Sequence, residues 1–195
     1  MVHLRIDDLE EYARINHVPI MMSDGIEFLL EYIKDNNIKN ILEIGTAIGY
    51  SSIRMALVNS DIKVTTIERD STMYNEAIKN IKSFNLSSRI NVIYKDALDV
   101  ELNDKYDLIF IDAAKSKYIK FFEKFKNNLN DNGVIVTDNL SFHGLVIDSS
   151  NCSRNTKQLV KKIQNYIEFL KNNNEYDTEF LSIGDGISIT RKKIS

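Results

Sequence analysis

The sequence predicts an α/β chain: a doubly wound sheet of seven strands, mostly parallel, closed at its C-terminal end by an antiparallel hairpin. Three observations lead there. Five short apolar runs, at 40–44, 63–68, 90–94, 106–112 and 133–138, are β-branched or aromatic with little polar alternation. Strands covered on both faces read this way. Amphipathic stretches lie between the runs, and strand–helix alternation implies right-handed crossovers and a parallel sheet. Finally, the extended runs 176–183 and 186–191 are separated only by Gly184 and Asp185. So short a connection requires antiparallel neighbours.

The helical elements follow in order. Ile26, Phe28, Leu29, Leu30 and Ile33 form a stripe ahead of the first strand, with Ser23 as a plausible N-cap. Ala77, Ile78, Ile81 and Phe84 follow the second strand on one helical face. Tyr118, Phe121, Phe122, Phe125 and Leu129 follow the fourth, and Leu159, Val160, Ile163, Tyr166, Ile167 and Leu170 precede the hairpin. All four stripes are read as core packing. One domain is expected over 1–195, with N-terminal helices in 1–38 and the sheet-bearing core in 39–195.

Composition narrows the class. A chain of 195 residues suits one domain with a real core, and 43% apolar with 27% charged residues is ordinary for a globular protein. No run approaches the roughly 20 apolar residues of a membrane span. The first residues lack the basic-then-apolar order of a signal peptide. A single cysteine, Cys152, excludes an internal disulfide framework, reads as a free thiol and suits a reducing compartment, so a cytoplasmic location is expected. A net charge of −3 gives no global pull on nucleic acid and leaves only a local basic patch to supply phosphate contacts.

The segment 41–51 is a strand, a glycine-bearing turn and the start of a helix. Ligands of doubly wound sheets bind beyond the carboxyl ends of strands, where the strand order reverses. Gly45 lets the backbone approach a ligand without a Cβ. Glu68, at the end of the second strand, is placed to accept hydrogen bonds from a ribose diol. The glycines are spaced Gly45-x-x-x-Gly49, not as the G-x-G-x-x-G that cradles a pyrophosphate. S-adenosylmethionine carries no phosphate and needs no cradle, and Glu43 suits its ammonium. A turn that only joins strand to helix is the alternative; with Glu68 in register, nucleoside binding is the reading taken.

Strand four ends in Asp112 with Lys115 three residues on, and strand five ends in Asp138-Asn139. As neighbours, they bring Asp112, Asp138 and Asn139 to one edge of the cofactor cleft. Three hard oxygen ligands suit magnesium, whereas zinc would ask for His or Cys, and His3, His17 and His143 do not cluster with these acids. Either aspartate alone would read as a helix cap. With Lys115, the trio reads as chemistry: a metal acidifies a coordinated hydroxyl, and Lys115 accepts its proton or stabilises the oxyanion.

The chain resembles the metal-dependent O-methyltransferases, a family with a Rossmann-like methyltransferase sheet that includes catechol and caffeoyl-coenzyme A O-methyltransferases. It looks most like the bacterial branch that methylates 5-hydroxyuridine at the tRNA wobble position. The shared stretches are His17-Val18-Pro19-Ile20-Met21, 42–56, 66–69, 110–115, 134–139 and Gly144-Leu145-Val146. The resemblance implies cofactor contacts at Met21, Thr46, Gly49 and Ser51, the ribose at Glu68, and adenine beside Asp96 and Ala97. It implies magnesium on Asp112, Asp138 and Asn139, with Asp112 also facing the cofactor and Lys115 beside the acceptor oxygen. For Asp96, a plain helix N-cap stays open. The branch usually carries a further helix ahead of the segment that begins here at Leu4, an arm that contributes to dimer contacts; a homodimer is expected.

The expected acceptor is the tRNA anticodon loop, with 5-methoxyuridine as product. An anticodon base is unpaired and cheaply splayed into a pocket, and its 5-hydroxyl beside a carbonyl chelates a metal much as a catechol does. Small catechol-like phenols are therefore the alternative. Arg154, Lys157, Lys161 and Lys162, and the tail Arg191-Lys192-Lys193, are candidates for phosphate contacts or else a solvated surface. The loop 141–155 has the length and position of a lid. A nicotinamide oxidoreductase fails on the glycine spacing, and a non-catalytic RNA-binding module has no use for the metal-and-lysine set.

Overall fold

The computed structural model describes residues 4–150 and 152–193, so His3 and residue 151 of the lid loop lie outside the described residues. Helices α1 (Ile6–Ile15) and α2 (Ser23–Asp35) come first. The core then runs β1 (Asn40–Ile44), α3 (Tyr50–Leu57), β2 (Lys63–Glu68), α4 (Ser71–Ser83), β3 (Ile90–Tyr94), β4 (Tyr106–Ile111) and α5 (Tyr118–Phe125). It ends with β5 (Leu129–Thr137), α6 (Arg154–Lys171), β6 (Tyr176–Leu181) and β7 (Ile187–Lys192).

The seven strands lie in the order β3-β2-β1-β4-β5-β7-β6. Neighbours are parallel from β3 through β5, and β7 runs antiparallel to both β5 and β6. The order reverses between β1 and β4, so their carboxyl ends open a crevice there.

The apolar runs are continuous because both sheet faces are covered. Along β4, Leu108 and Phe110 pack into the layer under α1 to α4. Ile109 and Ile111 pack into the opposite layer, against Phe121, Phe122 and Phe125 of α5 and Ile163, Tyr166 and Leu170 of α6. Alternation across the strand sends successive side chains to opposite layers, so both sets of β4 positions are apolar. Helix α1 is tied to α3 through Tyr50 Oη, which donates to Glu10 Oε1 (2.7 Å) and accepts from Arg54 Nη1 (3.0 Å).

Four local expectations change. Ser23 is the first helical residue, not the cap; Met22 holds the cap position without a side-chain bond, and Asp24 Oδ1 takes the Gly25 N–H instead. Leu129 opens β5 instead of closing α5, which makes β5 longer than the 133–138 run. Ile78, expected in the core, is 41% exposed, since Ala77 and Ile81 already fill the α4 contact. The hairpin connection spans residues 182–186, closed by the Gly186 N–H on the Ile183 carbonyl (2.9 Å). Among the described residues, no helix is long and apolar enough to cross a membrane.

Candidate active site

The turn after β1 is set by its neighbours. Gly45 has φ +101°, and a Cβ there would stand 2.1 Å from the Asp112 carbonyl oxygen. The close approach of the β4 end alone therefore demands a glycine here, at a position that also lines the cleft. Gly49 has φ +83° and turns the chain into α3; a Cβ there would face Ala77, so this residue shapes the turn and does not form the cleft wall.

Glu43 is fully buried, and its carboxyl accepts hydrogen bonds from Ser51 Oγ, Ser52 Oγ and Thr66 Oγ1. Thr66 in turn bonds Thr46 (2.6 Å). Burial pushes the Glu43 carboxyl up to about 7, against the pull of its three hydroxyl donors. Expected as a direct cofactor contact, it sits behind the wall, with Ser51 and Thr46 in front of it. Glu68 is pinned by three backbone donors: Ala47 N to Oε2 (2.8 Å), and Arg69 N (2.9 Å) and Asp70 N (2.8 Å) to Oε1.

These residues open onto a cleft of about 330 Å³. Of the expected cofactor residues, Met21, Gly45, Thr46, Ser51, Glu68, Asp96, Ala97 and Asp112 line it. Asp96 does two things at once. Its Oδ1 caps the turn at Ala97–Asp99 by accepting from Leu98 N (3.0 Å), while Oδ2 faces Lys117 (3.0 Å) and Arg69 (3.5 Å). The Leu98 amide first, then Lys117, hold its carboxyl below the usual range.

The far end of the cleft is lined by Asp112, Lys115 and Asn139, with Asp138 buried directly behind Asn139. Asp112 donates its N–H to the Ile44 carbonyl (3.0 Å), and Asp138 to that of Ile111 (3.2 Å), so both stand just past the strand ends. Tyr118 of α5 donates to the Asp138 carbonyl (3.0 Å), and Tyr166 of α6 bonds Thr137 (2.9 Å). Two helices thus fix the backbone on either side of Asp138. Lys115 Nζ donates to Asn139 Oδ1 (2.6 Å), and Asn139 Nδ2 to Asp138 Oδ2 (3.1 Å).

Asp138 is 1% exposed, and its Oδ1 has no hydrogen-bond partner. Burial raises its carboxyl, and the Asp112 charge adds to the effect; burial likewise raises Asp112, against the pull of Lys115. One buried and one half-buried carboxylate, an orphaned oxygen and an amide oxygen make a hard donor set with only Lys115 as a nearby cation. That composition fits a divalent cation of the magnesium type. Among the described residues, no three His, Cys, Asp or Glu side chains gather around one point; the third oxygen at this corner is the Asn139 amide, bonded to Lys115.

His143 and Asp185 also line this end: sequence reasoning sets His143 apart from the acids, and it gives Asp185 no role beyond the hairpin turn. His143 directly precedes the shared Gly144-Leu145-Val146 stretch, whereas Asp185 lies between two turn glycines with nothing local to mark it. Sequence reasoning also missed Arg69, Lys95 and Lys117 on the cleft wall. The basic tail is corrected. Arg191 pairs with Val134 at the start of the parallel segment of β5, and Thr137, next to the cleft, pairs with Ser188. Arg191, Lys192 and Lys193 therefore sit at the opposite edge of the sheet, where Arg191 bonds Tyr32 Oη (2.7 Å). Arg154, Lys157, Lys161 and Lys162 stay exposed at the N-terminal end of α6, with Lys157 Nζ on the Ser150 carbonyl (2.8 Å).

Comparison with known proteins agrees with this geometry. The O-methyltransferase family model matches residues 2–193. A provisionally named caffeoyl-CoA O-methyltransferase of Arabidopsis thaliana is 30% identical over 198 residues, covering 98% of this chain and 85% of the relative. The Populus kitakamiensis caffeoyl-CoA O-methyltransferase is 27% identical over 199 residues, covering 97% and 84%. Among solved structures, a Staphylococcus aureus protein provisionally described as a caffeoyl-CoA O-methyltransferase is 44% identical with a TM-score of 0.93, covering 97% of this chain and 93% of that one. The O-methyltransferase of Bacillus cereus in complex with SAH is 26% identical with a TM-score of 0.82, covering 96% and 90%. The chain belongs to the O-methyltransferase family and is an S-adenosylmethionine-dependent enzyme of the caffeoyl-CoA O-methyltransferase type. That sets aside both the oxidoreductase and the non-catalytic RNA-binding module.

Proposed function

We propose that this O-methyltransferase is magnesium-dependent and methylates the 5-hydroxyl of uridine at the tRNA wobble position, giving 5-methoxyuridine. The observation that carries the metal requirement is Asp138 Oδ1, buried and without a partner beside Asp112 and Asn139. Asp112, Asp138 and Asn139 would hold the cation. When bound, the cation supplies Lewis acidity that lowers the pKa of an acceptor hydroxyl.

The chain's own residues divide the remaining work. Glu68, locked by three backbone amides, takes the ribose hydroxyls of S-adenosylmethionine, with Asp96 and Ala97 beside the adenine. Thr46 and Ser51, backed by Glu43, face the methionine end, and Met21 closes the cleft from the N-terminal side. Lys115, held by Asn139 Oδ1, stands beside the acceptor oxygen and stabilises its negative charge. Holding the oxygen in line with the methyl supplies much of the acceleration.

The tRNA acceptor is supported by the resemblance and by cations at the cleft: Arg69, Lys95 and Lys117 on its wall, and Arg154, Lys157, Lys161 and Lys162 beyond the lid. A second reading, a small catechol-like phenol, is favoured by the names of relatives that include caffeoyl-CoA and flavonoid methyltransferases. The resemblance also carries a cytoplasmic homodimer. The deciding experiment supplies labelled S-adenosylmethionine with tRNA bearing 5-hydroxyuridine or with a catechol, each with Mg²⁺ or EDTA. Transfer to tRNA that EDTA abolishes is expected. Transfer to catechol alone would move the enzyme to the small-molecule branch, and EDTA-resistant transfer would overturn the metal.

A further inference from the structure

Helix α4 carries an asparagine where its spacing asks for an apolar side chain. Ala77 and Ile81 are its buried apolar residues, and Asn80 lies on the same face, three residues after Ala77. Asn80 is itself only 3% exposed. Asparagine is a poor residue for a helix interior, and a buried amide costs stability unless it is hydrogen-bonded. Asn80 Nδ2 donates to the carbonyl of Ile48 (2.9 Å), in the middle of the cofactor turn and 32 residues earlier in the chain. A leucine would fill this place in the helix without that cost, so the amide answers to the turn.

The turn needs such a hold. Ala47 adopts a left-handed backbone, φ +46°, a conformation that a residue with a Cβ keeps only where its surroundings impose it. In that conformation the Ala47 N–H donates to Glu68 Oε2 (2.8 Å), and the next carbonyl along the chain, that of Ile48, meets Asn80. Helix α4 therefore touches this region twice. It begins beside Glu68, where the Asp70 N–H donates to Oε1 (2.8 Å) and the Asp70 side chain caps the helix by accepting from Thr72 and Met73 N–H (2.9 Å each). Farther along, it returns to the turn through Asn80. Glu68 and Ala47 stand on the cleft wall, and Asn80 stands behind it.

We propose that Asn80 is a positioning residue for ribose recognition: through Ile48 and Ala47 it fixes the direction in which Glu68 presents its carboxylate to the cofactor. The inference rests on Glu68 taking the ribose. A carboxylate has about four lone-pair sites, two on each oxygen. On Glu68, Oε1 accepts both Arg69 N–H and Asp70 N–H, whereas Oε2 accepts Ala47 N–H alone among the described residues. Oε2 is thus the oxygen with room for a ribose hydroxyl, and it is the one whose only support comes from the turn. Without the Asn80 amide, the Ile48 carbonyl loses its partner, Ala47 is free to leave the left-handed region, and its N–H leaves Oε2. The carboxylate then meets the ribose unoriented.

Calorimetry on the full chain tests this with two ligands, S-adenosylhomocysteine and its 2′,3′-dideoxy analogue. The unmodified protein is expected to prefer the parent by about 30-fold, the range of a hydrogen bond to a charged group. Asn80→Leu is expected to bind the parent about tenfold more weakly and the analogue almost unchanged, so that the preference shrinks to about threefold. Turnover at saturating cofactor and acceptor KM stay unaltered. Asn80→Ala, with a good helix former, is expected to narrow the preference in the same way and serves if the leucine variant does not fold. Ile81→Val, which removes one buried methylene from the same helix, is expected to lower the melting temperature and keep the full preference. A full preference in the Asn80 variants overturns the proposal, and so does an equal narrowing in Ile81→Val, which would mean a general softening of α4. In both cases Glu68→Gln still removes the preference, and the ribose reading stands. A protein that binds parent and analogue alike overturns that reading and the proposal together.

Discussion

The two halves of the cleft are built by opposite strategies. The cofactor half comes mostly from one contiguous piece of chain, β1 through the end of β2, in which a strand, a turn and a helix place Thr46, Ser51 and Glu68. The acceptor half draws on four separated places: Asp112 after β4, Asn139 after β5, His143 in the loop before α6 and Asp185 in the final hairpin. The first is organised by local hydrogen bonds, as Glu68 shows by taking all its amides from the Ala47 turn and its own next two residues. The second exists only once the sheet has assembled. A local site carries its own geometry, whereas a convergent one is only as good as its supports, such as Tyr118 behind Asp138 and Asp185 behind His143.

The largest effect should separate the halves. Asp138→Ala is expected to abolish EDTA-sensitive turnover while cofactor Kd, read by calorimetry, stays within about twofold; the removed group touches only the convergent half. Loss of both would mean that the halves are not independent.

Gly45→Ala should do the reverse and damage both halves, because this glycine is where they abut. The left-handed φ alone costs about 1–3 kcal/mol, and a Cβ 2.1 Å from the Asp112 carbonyl must displace β4 or the turn. A lower melting temperature with loss of cofactor binding is the expected result.

Glu43→Gln tests the support beneath the local half. Burial raises its folded carboxyl to about 7 from 4.5. The native state therefore binds more protons between those values, and stability falls as pH rises through that window and then levels off. This group accounts for about 3 kcal/mol of the decline. The glutamine variant should show a flatter dependence of unfolding free energy between pH 4.5 and about 7, and an unchanged slope would place the titration elsewhere.

The smallest expected change is Glu68→Gln, about tenfold in cofactor Kd, or roughly 1.4 kcal/mol, with acceptor KM unaltered. A matching rise in acceptor KM would tie the two halves more closely than their architecture does.

The same division governs what the sequence disclosed. Runs such as Lys63–Glu68 and Ile90–Tyr94 matched their strands to the residue, because an apolar β-branched run bounded by turns has few other uses. Spacing also sufficed to bring Asp112, Asp138 and Asn139 to adjacent strand ends, since parallel topology puts all such ends on one edge. Fold class and the strand-end residues were therefore present in the order of residues alone. Tertiary structure decided the rest. It turned the Arg191 tail to the far edge, because an antiparallel strand reverses the end at which its residues emerge. It put Glu43 behind Ser51, and it set His143 over Asp185 from positions 42 residues apart, a juxtaposition no periodicity encodes.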